Sequence, residues 1–473
     1  MRPLLLTLAA LLALAAPAAA QTTGTITKSD NVREVGRDAY LGGTEITFDG
    51  RYVIAGQFNG EDNRNQLPRQ GGFKIYDTGE DRKGFKPVGG LLCPATDSDV
   101  TLVRSGLVAV AHHSATCNPA TKTNGIYLAD ISDPANVKVL GGITAPSAHT
   151  VTVHPSKKFL YVNPGGLSNG GGRTEIIDIS DPTTPTRAGF FTPDAIGCHD
   201  LQFTADGDLA FCAGLQKVEV WDTKDPAKPT VINTVRNPAI QFAHNAVPSP
   251  DGKLLVINDE AFAGHDCTTP AKVYGSLWIY DISNPRDPKL VNRIAAPDGG
   301  AGAVGYSGMD LVGINGKPYG AAAGWTRSWC AAHNYNFVPG TRILVSSWFT
   351  AGMTVEDLTD PAKPVRLAFW RSSKSIAYTA HFHDGRIYVN DLYRGMDALE
   401  VDGLRAGDGK GATPAERRGA RMRAAQPATA TTLPVPPQLP ARGEVRIASH
   451  EDSAFCVIPK ASLPTLQAAS EQK

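Results

Sequence analysis

Four histidines stand in matching surroundings: His149-Thr150, His199-Asp200, His244-Asn245 and His333-Asn334, each about seven residues ahead of a turn. An acidic pair, Asp259-Glu260, follows the third of them, with His265-Asp266 close behind. Several neutral imidazoles plus carboxylate oxygens converging on one point suit a divalent transition metal such as Zn, Cu, Fe or Mn. A catalytic ion keeps one position open for water or substrate. The candidate ligands are therefore His149, His199, His244, His333 and Glu260, with Glu260 also the candidate general base. The competing role is structural: each His and the polar residue after it would hydrogen-bond neighbouring repeats, a use that repeat proteins make often.

A repeat organises the elements that must position these residues. Six segments share a short β-rich run ending in Asp, followed by a proline-containing turn. They include GIYLADISDP from Gly125, TEIIDISDP from Thr174, KVEVWDTKDP from Lys217 and SLWIYDISNP from Ser276. The markers are Asp77, Asp130, Asp178, Asp222, Asp281 and Asp357, and a seventh unit around Glu400 keeps the strand without the proline turn. Spacings of 43 to 76 residues fit one four-stranded propeller blade per unit, with insertions in the longer ones. Each unit begins with a run that turns back through a Gly-containing hairpin, as in HDLQFTADGDLAFCAG from His199. Strands A–B are then joined by the DG-type turn and strands C–D by the DP-type turn.

These D-[IL]-[ST]-[DN]-P-x-x-P turns resemble the LVIVD-repeat family of exported bacterial β-propellers, over roughly Gly24 to Asp402. The resemblance extends to CHDLQF, to LLVINDE and to the stretch from Cys330 through Pro361. It implies an all-β, seven-bladed β-propeller and says little about chemistry. The short seventh unit needs a fourth strand, because an open blade edge exposes unpaired backbone groups. Asn31-Val32-Arg33-Glu34-Val35-Gly36 matches the D-strand run Asn136–Gly141, so an N-terminal strand is expected to close the last blade. The lone Trp221-Asp222 pair is ordinary strand alternation and not a WD repeat.

In such a ring the A strands run together along the central channel. The four histidines then lie at one mouth of it, in blades three to six. The B–C loops open on the same face and carry the insertions 58–71, 111–124, 163–173 and 258–275. His112-His113, the acidic pair and Asp391 are expected near that mouth, and Trp325, Trp329, Trp348, Tyr335 and Phe349 near a pocket beside it. His154 and His383 fall in A–B turns on the opposite face. Restriction of the histidines to four adjacent blades favours ligands over packing, which would recur in all seven.

Residues 1–20 read as a signal peptide: Arg2, an apolar run from Leu4 to Ala16, and Ala18-Ala19-Ala20 as the cleavage site. The expected location is exported, whether periplasmic, extracellular or cell-surface. Residues 21–402 form the propeller, and residues 403–473, rich in Ala, Pro and Arg, form a largely disordered tail. Export makes cysteines potential disulfides. Cys93 with Cys117 and Cys198 with Cys212 nearly flank hairpin turns, Cys267 with Cys330 make a third bridge, and Cys456 is left over. The 473 residues carry 46 basic against 46 acidic side chains, which removes a broad basic surface for nucleic acid. No segment after the leader is apolar for long enough to span a membrane. The expected function is binding of a small ligand or protein partner at the His-rich mouth. The alternatives are a transition-metal-dependent oxidoreductase or hydrolase, and a cell-surface adhesion or scaffold module.

Overall fold

Each Asp-terminated run forms the third strand of a four-stranded antiparallel sheet in the computed structural model. The structure describes residues 25–406 except 41, 58–70, 94–96, 114–124, 146–147, 165–172, 192–196, 215–216, 241, 261–274, 298–310, 313–317, 320–329, 374 and 393. The leader, most of the tail, most of the B–C insertions, and Cys117, Cys267, His265, Asp266, Trp325, Trp329 and Cys456 lie outside the described residues.

Seven blade sheets follow one another along the chain, and a small two-stranded sheet, Leu311–Val312 with Pro318–Tyr319, lies in the insertion between strand D of blade five and strand A of blade six. Strands A to D of blade one are Gly43–Asp49, Tyr52–Gln57, Gly72–Asp77 and Lys86–Leu92. The A strands of blades two to seven begin at Asp97, Thr150, Asp200, Ala243, Tyr335 and Ala377. Strand C ends on the marker Asp in six blades, at Asp77, Asp130, Asp178, Asp222, Asp281 and Asp357. Each of these carboxylates accepts a hydrogen bond from the backbone N–H two residues on, at 2.7 to 3.1 Å. That short local ring is why Asp recurs: it closes the turn without help from the rest of the blade. Among the described residues the only helical turn is the short 3-10 piece Pro134–Asn136, and no helix is long and apolar enough to cross a membrane.

The N-terminal chain closes the ring as the sequence implies. Val32–Asp38 pairs antiparallel with Gly395–Val401 as strand D of blade seven, in register Val32↔Val401 to Asp38↔Met396. A second strand was not foreseen: Ile26–Lys28 pairs with the outer strand of blade six and makes that sheet five-stranded. The amino-terminal segment therefore covers the edges of two consecutive blades.

A register shift interrupts the C–D pairing in all seven blades. The residue left over on strand D is apolar every time: Val35, Val88, Leu140, Ala188, Ile232, Val291 and Leu367. Six of the seven (all but Ala188) pack against the hydrophobic clusters. The next residue is Gly36, Gly89, Gly141, Gly189, Asn233, Asn292 or Ala368. Here several C–D turns dock from the following blade. A Cβ at Gly89 would overlap the carbonyl oxygen of Pro134, and one at Gly141 would crowd those of Pro182 and Thr183. Asn292 instead donates to the carbonyl of Ala362, at 2.8 Å. At Gly189 the nearest atom to a new Cβ, the carbonyl oxygen of Ala227, is 3.7 Å away. Gly89→Ala should therefore cost about 1–3 kcal/mol through overpacking against backbone, and Gly189→Ala, at the same position two blades on, almost nothing. Thermal melts of the two variants check this; equal losses would dismiss the docking account.

The core is the set of apolar layers between adjacent sheets. One layer joins blades six and seven through Trp370, Val389 and Leu399, and another joins blades five and six through Ile279, Trp348 and Leu344. The A strands are laced by hydrogen bonds between blades, such as Thr150 Oγ1 to the His199 carbonyl and Thr152 Oγ1 to that of Leu201, both at 2.7 Å.

Candidate functional site

His149, His199 and His333 sit one or two residues before the regular part of strand A, and His244 lies inside it. Three are pinned by their own backbone. The N–H of His149 donates to Asn163, that of His199 to Ala213 and that of His333 to Ser347, each near the end of strand B. This places equivalent residues of successive blades side by side, and all four side chains are buried. The rings form an arc with centroids 4.7, 4.2 and 4.2 Å apart, from His149 through His199 and His244 to His333. Tyr378 of blade seven continues it, 4.1 Å from the His333 ring, and Phe349 covers the other side of that ring at 4.6 Å.

The arc does not bring all four histidines equally to one point. Among the described residues, His199, His244 and Glu260 place donor atoms within 4.8 Å of one another. Glu260 is fully buried; its carboxylate lies 3.8 Å from His244 Nε2 and 3.9 Å from His333 Nε2. His333 thus extends the set at one end. His149 extends it at the other, with its Nε2 3.1 Å from that of His199.

Backbone acceptors sort the tautomers. His199 Nδ1 faces the carbonyl of His244 at 3.3 Å, and His333 Nδ1 faces that of Tyr378 at 2.7 Å. A carbonyl only accepts, so each ring donates from Nδ1 and keeps a lone pair on Nε2. This is the outer support that metal-ligating imidazoles usually have. With the His199 proton on Nδ1, the short contact requires His149 to donate from Nε2. That bond occupies the single lone pair of His199 Nε2, so His199 can bind an ion through this atom only when His149 turns away from it.

Burial, reinforced by the neighbouring imidazoles, holds His199 and His244 well below the ordinary histidine range. Both are neutral at neutral pH, the form that binds a metal. Burial also pushes the Asp200 carboxyl up to about 7. The donors are two to three nitrogens and one carboxylate, a set that suits Zn, Cu or Fe. Separations of 3.8–3.9 Å about Glu260, within 4.8 Å over the whole His199–His244–Glu260 set, are wider than the roughly 3.0–3.4 Å that two donors on one ion show at about 2.0–2.1 Å each, so ligation requires the set to close.

His149, His199 and His244 border a channel cavity of about 250 Å³, reached also by Tyr335, Tyr378 and His381. The other residues read near the mouth have different places. Asp259 accepts from the N–H groups of Phe242 and Gly275, both at 2.9 Å, and so clamps the ends of strand B's loop. Asp391 accepts from Ser375 and from the Arg394 N–H. His112 packs on Tyr127 of its own blade, 5.5 Å between ring centroids. Trp348 is buried in the core, donating to Thr354 Oγ1 at 2.6 Å. His154 and His383 hydrogen-bond the A–B turns of the following blades, at Gly207 and Gly50, on the face opposite the arc.

Cys198 and Cys212 form a disulfide that joins strand A to strand B directly beside His199. Cys93 and Cys330 are also disulfide-bonded, and the partners read for them lie outside the described residues. Cystines are at home in an oxidising compartment.

The family model for the LVIVD repeat matches residues 168–192 and 271–295, the C–D regions of blades three and five. The chain is an LVIVD-repeat β-propeller. Among solved structures it is similar to the β-propeller domain of Cps50 (Swd1) from Myceliophteria thermophila. That likeness has 11% identity and a TM-score of 0.51, covering 78% of this chain and 98% of the other. It shows the fold alone. No curated protein matches the sequence. Within this LVIVD propeller the histidines fall outside both matched segments, so the repeat pattern itself does not require them.

Proposed function

We propose that this chain is an exported LVIVD propeller that binds one divalent transition-metal ion at the channel mouth and, through it, a small ligand. The carrying observation is the approach of His199, His244 and Glu260, all buried, to within 4.8 Å. His199 and His244 are the nitrogen ligands and Glu260 the oxygen ligand, with His333 beside Glu260 at one end of the set and His149 beside His199 at the other. Three protein donors and an adjoining cavity leave room for an exogenous ligand, which is the requirement for binding or chemistry at the ion. The cystine beside His199 and the leader-like first twenty residues support the exported location.

Elemental analysis of protein purified from its natural compartment tests the reading. About one equivalent of Zn, Cu, Fe or Mn is expected per chain. His199→Ala and His244→Ala should each lower it at least tenfold, whereas His154→Ala on the opposite face should leave it unchanged. A folded wild-type protein that carries no metal and takes up none on dialysis would sink the proposal.

A further inference from the structure

The residue before each mouth histidine is alanine in three blades, at Ala148, Ala243 and Ala332, and cysteine in blade four, at Cys198. Alanine therefore meets the packing requirement of this position, and the cystine that Cys198 forms with Cys212 meets a different one. Strand B shows which. In blades three and six the carbonyl that accepts the histidine N–H belongs to Asn163 and Ser347, and Asn258 holds the corresponding place in blade five. The side chains of all three tie strand B to the residue after the histidine. Asn163 Nδ2 donates to Thr150 Oγ1 at 3.1 Å, and Asn258 Oδ1 accepts from the Asn245 N–H at 2.6 Å. Ser347 Oγ accepts from the Asn334 N–H at 3.0 Å and donates to the Asn334 carbonyl at 2.8 Å. In blade four the accepting carbonyl belongs to Ala213, whose methyl group makes no such bond. The residue before it is Cys212, so the cystine crosses from strand A to strand B where the other three blades have a polar tie.

We infer that the Cys198–Cys212 cystine is the positioning element of His199, standing in for the Asn or Ser tie, and that metal retention at the mouth depends on it. What His199 holds rests on the metal reading; the positioning itself does not. His199 stands just outside the regular strand Asp200–Phe203, at a strand end, where local opening costs least. Its ring must also keep facing the His244 carbonyl of the next blade, at 3.3 Å, if Nε2 is to carry the lone pair. A cross-strand tie one residue away fixes the backbone from which that ring projects.

Cys198→Ala combined with Cys212→Val installs the pair that blade three carries at Ala148 and Val162, and removes the tie. Zinc affinity, measured by competition with a chelator, should fall about tenfold or more. In zinc-free protein the His199 amide should exchange its hydrogen about tenfold faster or more, while the His149 amide of blade three keeps its wild-type rate. Adding Ala213→Ser, the arrangement of blade six, should recover most of the zinc affinity and of the exchange protection. The melting temperature should stay below wild type, because the cross-link is still missing. Ala213→Asn, the arrangement of blade five, provides a parallel rescue. Unchanged affinity and exchange in the double variant, or losses that neither rescue recovers, would overturn the inference and leave the cystine a general cross-link of the blade. A wild-type protein that binds no zinc counts against the metal reading instead, and the exchange measurement still decides the positioning role.

Discussion

Removing residues 25–38 should leave a chain that does not reach a stable native state. Val32–Asp38 supplies the whole outer strand of blade seven, and Ile26–Lys28 the added edge of blade six. The lost ladder contains six paired positions in blade seven, each worth about 0.5–1.5 kcal/mol net. Val32, fully buried, adds about 1.5–3 kcal/mol. The Arg33–Glu400 contact is exposed and contributes little. A total of roughly 5–12 kcal/mol is comparable to the whole stability of a typical domain. It also opens an edge beside Gly395–Val401 that invites pairing with other chains. Deleting only residues 25–28 removes three pairs at an already complete four-stranded blade, so the protein should fold with a melting temperature lowered by a few degrees. Circular dichroism melts and size-exclusion profiles of both truncations distinguish these outcomes. Equal behaviour of the two truncations would contradict the closing role of Val32–Asp38.

How far the sequence showed this in advance depends on whether a feature is local. The Asp-Pro turns were legible because the carboxylate that closes each turn reaches only two residues along the chain. The closing strand was legible because Asn31–Gly36 copies Asn136–Gly141, and the structure gives the reason for the copy. Both carry the bulge, with an extra apolar residue (Val35, Leu140) and then a glycine that makes room for the following blade's C–D turn, the Phe85 side chain at Gly36 and the Pro182–Thr183 backbone at Gly141. The bulge itself was not legible, since it arises from docking between blades. Nor was the strand Ile26–Lys28, which has no counterpart among the repeats.

The mouth residues divide in the same way. Equivalent placement of the four histidines follows from the repeat register. Their convergence does not, because the His199 and His333 rings lean toward the next blade to donate to its backbone. The rings form an arc with Glu260 between His244 and His333, and the His199 tautomer leaves His149 a proton to donate. Asp259 and Asp391 carry the right chemistry for the mouth, but nearby backbone N–H groups occupy their carboxylates. Glu45 and Asp99, which line the channel cavity, stand at the strand-A positions after the histidine register. In these two blades that register has no histidine to draw attention to it.

Arg366→Ala should be among the most destabilising substitutions in the outer sheets, with a loss that shrinks on acidification. Glu356 on strand C of blade six is completely buried, and its carboxylate pairs with Arg366 Nε on strand D at 3.0 Å. Thr354 also donates to it, at 3.0 Å, and in turn accepts from the Trp348 indole. Burial raises the Glu356 carboxyl above its ordinary value, while Arg366 and Thr354 pull it back down. Removing the guanidinium leaves a buried charge without its counter-ion, at a cost of about 3–5 kcal/mol. The sign with pH follows from linkage. A folded-state pKa above the unfolded one means that the folded protein binds the extra proton, so stability falls as pH rises and returns as pH falls. In the variant the folded value rises further, so the deficit against wild type should be largest at pH 7–8 and contract below the raised pKa. Adding Glu356→Gln removes the charge and should recover a large part of the loss at pH 7.5 while flattening the pH dependence. Denaturant titrations of the three proteins at pH 5 and 7.5 provide the measurement. A deficit for Arg366→Ala that is the same at both pH values would show that the arginine stabilises by packing its stem and not by balancing Glu356.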